Sequence, residues 1–254
     1  DFLRTVPLLD SSEEILDKGV DIVGNAASND KKIDIIEWGE SHGVHVMTDK
    51  PVAVDFEALG RLKKVMDRGR IQTGMMLTER FSPPLYTLRQ MIGEGILGDI
   101  MDFTFLKPHK LNRTDRPGWF FRKSVNGGLV IDIMIHDVDL LRWFTNREIN
   151  SFHGRLLKGA FDEYPEFYDR AELNILLDGQ ITATLKANWL MPEAFDLWGD
   201  GRIFATGSKG TAEIRSAGDV LNSVNPFIML TTHKNRTVKY DVQKELHQRK
   251  IPLI

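Results

Sequence analysis

The chain of 254 residues contains no cysteine, which removes disulfide scaffolds, thiolate metal sites and thiol nucleophiles together. It has no excess of one charge: Lys and Arg number 33 against 36 Asp and Glu, a formal charge of −3. The basic footprint of a nucleic-acid binder is therefore missing. No apolar run approaches the ~18 residues that cross a bilayer. Glycine (21) and proline (10) are too few for a collagen-like or low-complexity chain. What is present is globular in character, 42% hydrophobic and 27% charged. At this length the expectation is one large or two moderate domains, with no nucleic-acid or membrane partner.

The first ~80 residues alternate helix and strand. Asp10-Ser11-Ser12-Glu13-Glu14 offers a cap and an acidic first turn, Gly19 stops that helix, and Val20–Val23 reads as a strand. Asn29 or Asp30 is placed to cap a helix carrying Ile33, Ile36 and Trp38, ended by Gly43 and followed by a strand over Val44–Thr48. Asp55 caps a third helix with Phe56, Leu59, Leu62, Val65 and Met66 expected on one face, before Gly69 and a strand over Ile71–Leu77. Such alternation predicts a parallel, doubly wound sheet. Because the pattern opens on a helix, a preceding β-α-β portion of ~50 residues with a glycine-rich turn is expected upstream of Asp1.

After Arg80-Phe81-Ser82-Pro83-Pro84 the texture changes. A helix over Leu85–Glu94, a strand over Ile100–Leu106, a polar loop through Trp119 and an apolar helix over Leu129–Phe144 precede β-rich runs at Ala171–Leu177, Ile181–Leu190 and Ile203–Thr206. The fold class expected is α/β plus α+β: a partial doubly wound domain over 1–79, then a mostly antiparallel sheet with helices on one face over 80–254. The strand Ala183–Leu190 has apolar residues to offer a partner subunit on one face.

One literal GxGxxG, Gly93-Glu94-Gly95-Ile96-Leu97-Gly98, ends a helix and precedes a strand. A dinucleotide fingerprint does the reverse, so this segment reads as a helix stop and turn. Lys50, in Asp49-Lys50-Pro51, follows a parallel strand at its carboxyl end, where open α/β sheets bind ligands. Asp132, His136 and Asp139 fall at i, i+4 and i+7 of an otherwise apolar helix. Ionisable groups buried together need pairing or a use. Three readings stay open: a structural Asp-His-Asp hydrogen-bond ladder, a histidine base oriented by a carboxylate, or a metal-dependent hydrolase site built on His136 and Asp139.

These segments resemble, in order, the motifs of the Gfo/Idh/MocA family of NAD(P)-dependent sugar and polyol oxidoreductases. Ala26-Ala27-Ser28-Asn29-Asp30-Lys31-Lys32 is similar to that family's A-T-P-N-x-x-H loop, with Lys32 where histidine is usual, and Asp49-Lys50-Pro51 to its E-K-P signature. Arg80-Phe81-Ser82-Pro83, Gly95-Ile96-Leu97-Gly98 and the block Asn126–Trp143 resemble its R-F-x-P, G-x-[IL]-G and G-G-x-x-x-D-x-x-x-H-D-x-D-x-x-x-W elements. A C-terminal helix usual in the family is not recognisable after Lys244. The resemblance implies that Lys50, Asp132 and His136 are catalytic. It further implies that Ala26, Ser28, Asn29, Lys32, Asp49 and Lys50 contact NAD or NADP, that no metal is used, and that the protein is a cytoplasmic homodimer or homotetramer. His109, Lys110 and Trp119, in the loop after the second domain's first strand, are the expected contacts to a sugar- or polyol-like substrate. A non-catalytic, sugar-sensing regulator of the same fold is the alternative.

Overall fold

The computed structural model describes residues 9, 11–221, 225–234 and 236–241. The segment after Lys244 lies outside them. The chain divides into two units, Asp1–Met76 and Leu77–Ile254.

In the first unit α1 (Ser12–Asp17), β1 (Ile22–Asn25), α2 (Lys32–His42), β2 (His45–Asp49), α3 (Phe56–Arg68) and β3 (Thr73–Met76) alternate. The strands form a parallel sheet in the order β1-β2-β3. Ser11 caps α1 by accepting a bond from the Glu14 amide, and Asp55 caps α3 through the Ala58 amide at 2.8 Å. Gly43 and Gly69 close α2 and α3 as expected. Neither Asn29 nor Asp30 caps α2: the cap position is Lys31, without a side-chain bond. Their side chains are engaged elsewhere, Asn29 with Lys32 and Asp30 with Ser28. β1 begins two residues later than its apolar run and includes Asn25. The face of α3 is also corrected. Ala58, Leu62 and Val65 are buried with Ile33, Ile36, Val46 and Ile71, whereas Phe56 is 92% exposed and Leu59 and Met66 also face outward.

The second unit opens with a 3-10 turn (Thr78–Phe81) and α4 (Pro83–Gly93). β4 (Ile100–Pro108), a short α5 (Lys123–Asn126), a π-helical turn (Val130–Met134) and α6 (Ile135–Thr145) follow. Seven more strands complete it: β5 (Ile149–Leu157), β6 (Arg170–Leu177), β7 (Ile181–Asn188), β8 (Arg202–Gly207), β9 (Gly210–Arg215), β10 (Phe227–Thr232) and β11 (Val238–Asp241). Among the described residues they form an eight-stranded sheet in the order β11-β10-β9-β8-β4-β7-β6-β5, antiparallel except where β4 meets β7. The fold is α/β plus a mostly antiparallel α+β sheet. α4 and α6 pack on one face through Leu85, Leu88, Met91, Leu140, Leu141 and Phe144. Burial alternates along the central strands, so Ala183, Leu185, Ala187 and Trp189 turn into this core and cannot be offered to a partner. The opposite face carries cross-strand polar pairs such as Thr182 with Asp102 and Thr184 with Asn174. Among the described residues no helix is long and apolar enough to cross a membrane.

The GxGxxG segment is a helix stop followed by a turn into β4, with Gly95 and Gly98 at φ of 70° and 74°. A Cβ on Gly98 would also collide with Ser208 Oγ and Lys209 in the turn between β8 and β9. Gly98→Ala is therefore expected to destabilise the protein by about 1–3 kcal/mol. Gly93→Ala, at a helical position with ordinary room, should be neutral or stabilising by less than about 1 kcal/mol. Urea unfolding of the two variants separates them, and equal midpoints would contradict the assignment.

Candidate active site

Three consecutive inward positions of β4 are Phe103, Phe105 and Lys107. The first two build the core, Phe103 stacking on Phe144 of α6 at 5.8 Å. One step further the same alternation drives a lysine against α6. Its Nζ lies 2.8 Å from Asp137 Oδ1 and 2.6 Å from Glu79 Oε1, the latter from the 3-10 turn. Burial opposes the Lys107 charge, but the two carboxylates outweigh it and hold the ammonium above its ordinary pKa. Burial likewise works against ionised Glu79. Lys107, His136 and His109 overcome it, and this carboxyl sits below its usual range. Asp137 goes the other way. Burial pushes it up to about 6 despite Lys107, and its Oδ2 is buried without a hydrogen-bond donor.

Glu79, Lys107, His109, Trp198 and Ser216 share the wall of a pocket of about 400 Å³. Of the three expected substrate contacts, His109 is in that wall. Lys110 hydrogen-bonds through its amide to the Trp198 carbonyl at 2.8 Å, and half-buried Trp119 packs beside Phe120; neither lines the pocket. Arg116 lies over Phe120, Trp189 and Trp198 with its carbon 4.3–5.4 Å from the ring centres. Burial there lowers its pKa, with Asp132 the main opposing charge.

Asp132 and His136 are both buried, as expected. The helix that carries them is not uniform. Gly127 and Gly128, both at positive φ, lead into the π turn over Val130–Met134, and only from Ile135 onward is the winding α-helical. π turns are frequent at functional sites because they re-aim side chains. Asp139 departs from the expected stripe: both its oxygens accept from Arg80, Nε at 2.6 Å. A ladder through all three residues does not form, and the carboxylate that a metal site would share with His136 is already committed. Among the described residues no three His, Asp or Glu side chains are placed to hold a metal ion.

In the first unit the carboxyl ends of β1 and β2 are joined by Lys32, which is 1% exposed. Its Nζ donates to Asn29 Oδ1 at 2.9 Å and to the Lys50 carbonyl at 3.2 Å, and pairs with Asp49. Asn25, at the end of β1, accepts from the Ala27 amide and donates to the Lys32 carbonyl. These bonds fix the loop from residue 26 to 32. Ala26 is left exposed, and Ser28, Asp49 and Lys50 are partly so. The Lys50–Pro51 bond is cis.

The family model for the GFO/IDH/MocA C-terminal domain matches residues 85–213. The chain belongs to the GFO/IDH/MocA family. It is 28% identical over 192 residues to scyllo-inositol 2-dehydrogenase (NAD(+)) of Bacillus subtilis (strain 168), covering 74% of this chain and 54% of that protein. To myo-inositol dehydrogenase Hyg17 of Streptomyces leeuwenhoekii it is 25% identical over 205 residues, 79% and 59% of the two chains. The chain thus spans little more than half the length of these relatives. Among solved structures, a protein of Erwinia carotovora atroseptica SCRI1043 superposes with a TM-score of 0.86 at 23% identity, over 94% of this chain and 72% of that one. Levoglucosan dehydrogenase in complex with NADH and levoglucosan gives 0.78 at 16%, over 92% and 64%. At these identities the superpositions establish the fold.

Sequence reasoning missed Glu79, Lys107 and Asp137. The signal was available: a lysine third in an inward alternation after two phenylalanines needs carboxylates beside it. The raised Asp137 carboxyl has a consequence for stability. Native Asp137 keeps its proton up to about pH 6, the unfolded chain only to about 3.8. This stabilisation is full below 3.8 and is lost as pH rises through 6. Glu79, shifted below 4.5, acts with the opposite sign mainly under that window. Between pH 4 and 6 the wild type should lose on the order of 1–3 kcal/mol relative to Asp137→Asn. Urea midpoints of both proteins across that range test this, and parallel curves would refute it.

Proposed function

We propose that the full-length protein is an NAD(P)-dependent oxidoreductase of the CH–OH class, acting on a sugar-, inositol- or polyol-like alcohol or the corresponding ketone. The observation that carries this reading is the burial of both Asp132, on the π turn, and His136, at the start of α6, in a unit whose pocket wall is polar and aromatic, within a family whose relatives above are inositol dehydrogenases. His136 accepts the substrate hydroxyl proton, or returns it in the reverse direction, and Asp132 orients the imidazole and stabilises its cation. Lys50 hydrogen-bonds the reacting oxygen and polarises it. The nicotinamide cofactor, when bound, supplies the hydride chemistry. Its fit rests on the carboxyl edge of the parallel sheet, where Ala26, Ser28, Asn29, Asp49 and Lys50 would hold it. Lys32 is too buried to touch a ligand, so its part is to hold Asn29, Asp49 and the Lys50 backbone in place.

The protein acts as a homodimer or homotetramer in this reading, paired through the open face of the large sheet and its exposed Met101 and Phe204 rather than through the buried residues of β7. Light scattering of the full-length protein at micromolar concentration should give a symmetric oligomer. A monodisperse monomer would remove that part of the proposal.

Turnover is tested on the full-length protein with a neutral polyol. His136→Ala should lower kcat by ~10²–10⁴, the scale of general acid–base assistance. Lys50→Ala should do comparable damage with the fold intact. Asp132→Asn should be equal or milder and should move the pH profile, since its effect on His136 is electrostatic. Wild-type rates in His136→Ala would reduce the pair to a structural role. Binding of NAD(P) and sugar with no turnover at all would favour a regulator, and activity that a chelator abolishes and nicotinamide does not affect would favour a metal hydrolase.

A further inference from the structure

The pocket lined by Glu79 and Lys107 has a polarity that neither the family assignment nor the catalytic pair explains. Its ionic set contains two carboxylates and one ammonium, so with Asp137 ionised it carries a net negative charge. The members are not equally visible from the pocket. The side chain of Asp137 is sealed under Lys107, Lys107 is 10% exposed, and Glu79 is 31% exposed. Glu79 gives Oε1 to Lys107, and its partly exposed side chain lines the pocket. The nearby cations do not cancel it. Arg202 is paired with Asp200, its Nε and Nη2 donating to Oδ2 at 3.0 and 2.6 Å, and Arg116 is stacked among aromatic rings. His136, whose charge also acts on Glu79, and His109, in the pocket wall, are the other titratable groups beside it. Trp198, 55% exposed, offers an apolar ring at the same wall.

We propose that Glu79, ion-paired to Lys107 at the wall of this pocket, is a specificity-determining residue that admits neutral and amino-substituted polyols and turns away carboxylated ones. The ring of Trp198 takes the C–H face of the polyol, and the outer Glu79 oxygen accepts from its hydroxyl or ammonium groups. A substrate carboxylate at that position would meet a like charge in a partly dehydrated setting, where repulsion is far less screened than in water. The lysine behind Glu79 is what allows a carboxylate to stand there ionised. This inference rests on the oxidoreductase reading above and assigns its substrate charge.

The test uses the full-length protein at pH 7 and three sugars of one skeleton: D-glucose, D-glucosamine and D-glucuronate. Steady-state kcat/KM is measured with saturating cofactor, and binding of the same sugars by calorimetry. In the wild type, glucuronate should fall at least about tenfold below the other two, and 0.5 M salt should narrow the gap. In Glu79→Gln the glucosamine-to-glucuronate ratio should drop by about tenfold or more. If glucose is turned over and this ratio stays within about twofold of wild type in Glu79→Gln, the specificity proposal is wrong while the oxidoreductase reading stands. If no sugar is turned over but calorimetry shows the expected ratio and its loss in the variant, the specificity survives and the oxidoreductase reading falls. Should Glu79→Gln fail to fold, the wild-type ratio decides alone, and glucuronate bound or turned over as well as glucose overturns the proposal.

Discussion

An ammonium taken out of water has to be met by carboxylates, and Lys107 meets this demand where three segments of the second unit converge. The end of β4 supplies the lysine, the first turn of α6 supplies Asp137, and the 3-10 turn before α4 supplies Glu79. None of these segments is adjacent to another in sequence. Breaking such a set leaves an uncompensated buried charge at a cost of about 3–5 kcal/mol, whereas an apolar replacement of the whole set can be neutral. The set therefore contributes little as net stability and much as a constraint on position. It fixes the start of α6 against the strand end beside the pocket.

A second buried lysine plays the corresponding part in the first unit, under different conditions. Lys32 ties the loop after β1 to the end of β2, the two segments singled out by their family-like motifs. Its acidic partner Asp49 is 46% exposed, so water can take over much of that charge if the lysine is lost. Asp137, 3% exposed, has no such relief. A lysine in place of the usual histidine makes sense here, because the position needs a donor long enough to reach a side-chain oxygen, a carboxylate and a backbone carbonyl at once.

What could be read from the sequence follows the range of the interactions involved. The caps at Ser11 and Asp55, the helix stops at Gly43 and Gly69, and the turn through Gly95 and Gly98 depend on residues a few positions apart, and all appear where expected. On α3, Leu62 and Val65 are buried as expected but Phe56, Leu59 and Met66 are not, because all five satisfy helical spacing and periodicity does not say how wide a face is covered. The π turn escaped for a related reason, since an apolar run fits either winding. Asp132 and His136 were legible as buried ionisable residues, but Glu79 became visible only once the fold placed it beside Lys107.

The 3-10 turn explains why Asp137 and Asp139, on either side of His136, are both held in ion pairs. Its neighbouring residues Glu79 and Arg80 reach α6 at two points, Glu79 through Lys107 to Asp137 and Arg80 directly to Asp139. At about 100° per residue, Asp137 follows His136 by about 100° in one sense around α6, and Asp139 lies about 60° away in the other. His136 thus projects between two anchored carboxylates. Rotation of α6 in either direction would have to break an ion pair, one of them buried. That double grip fixes the rotation of α6, and with it the side of the helix from which His136 projects.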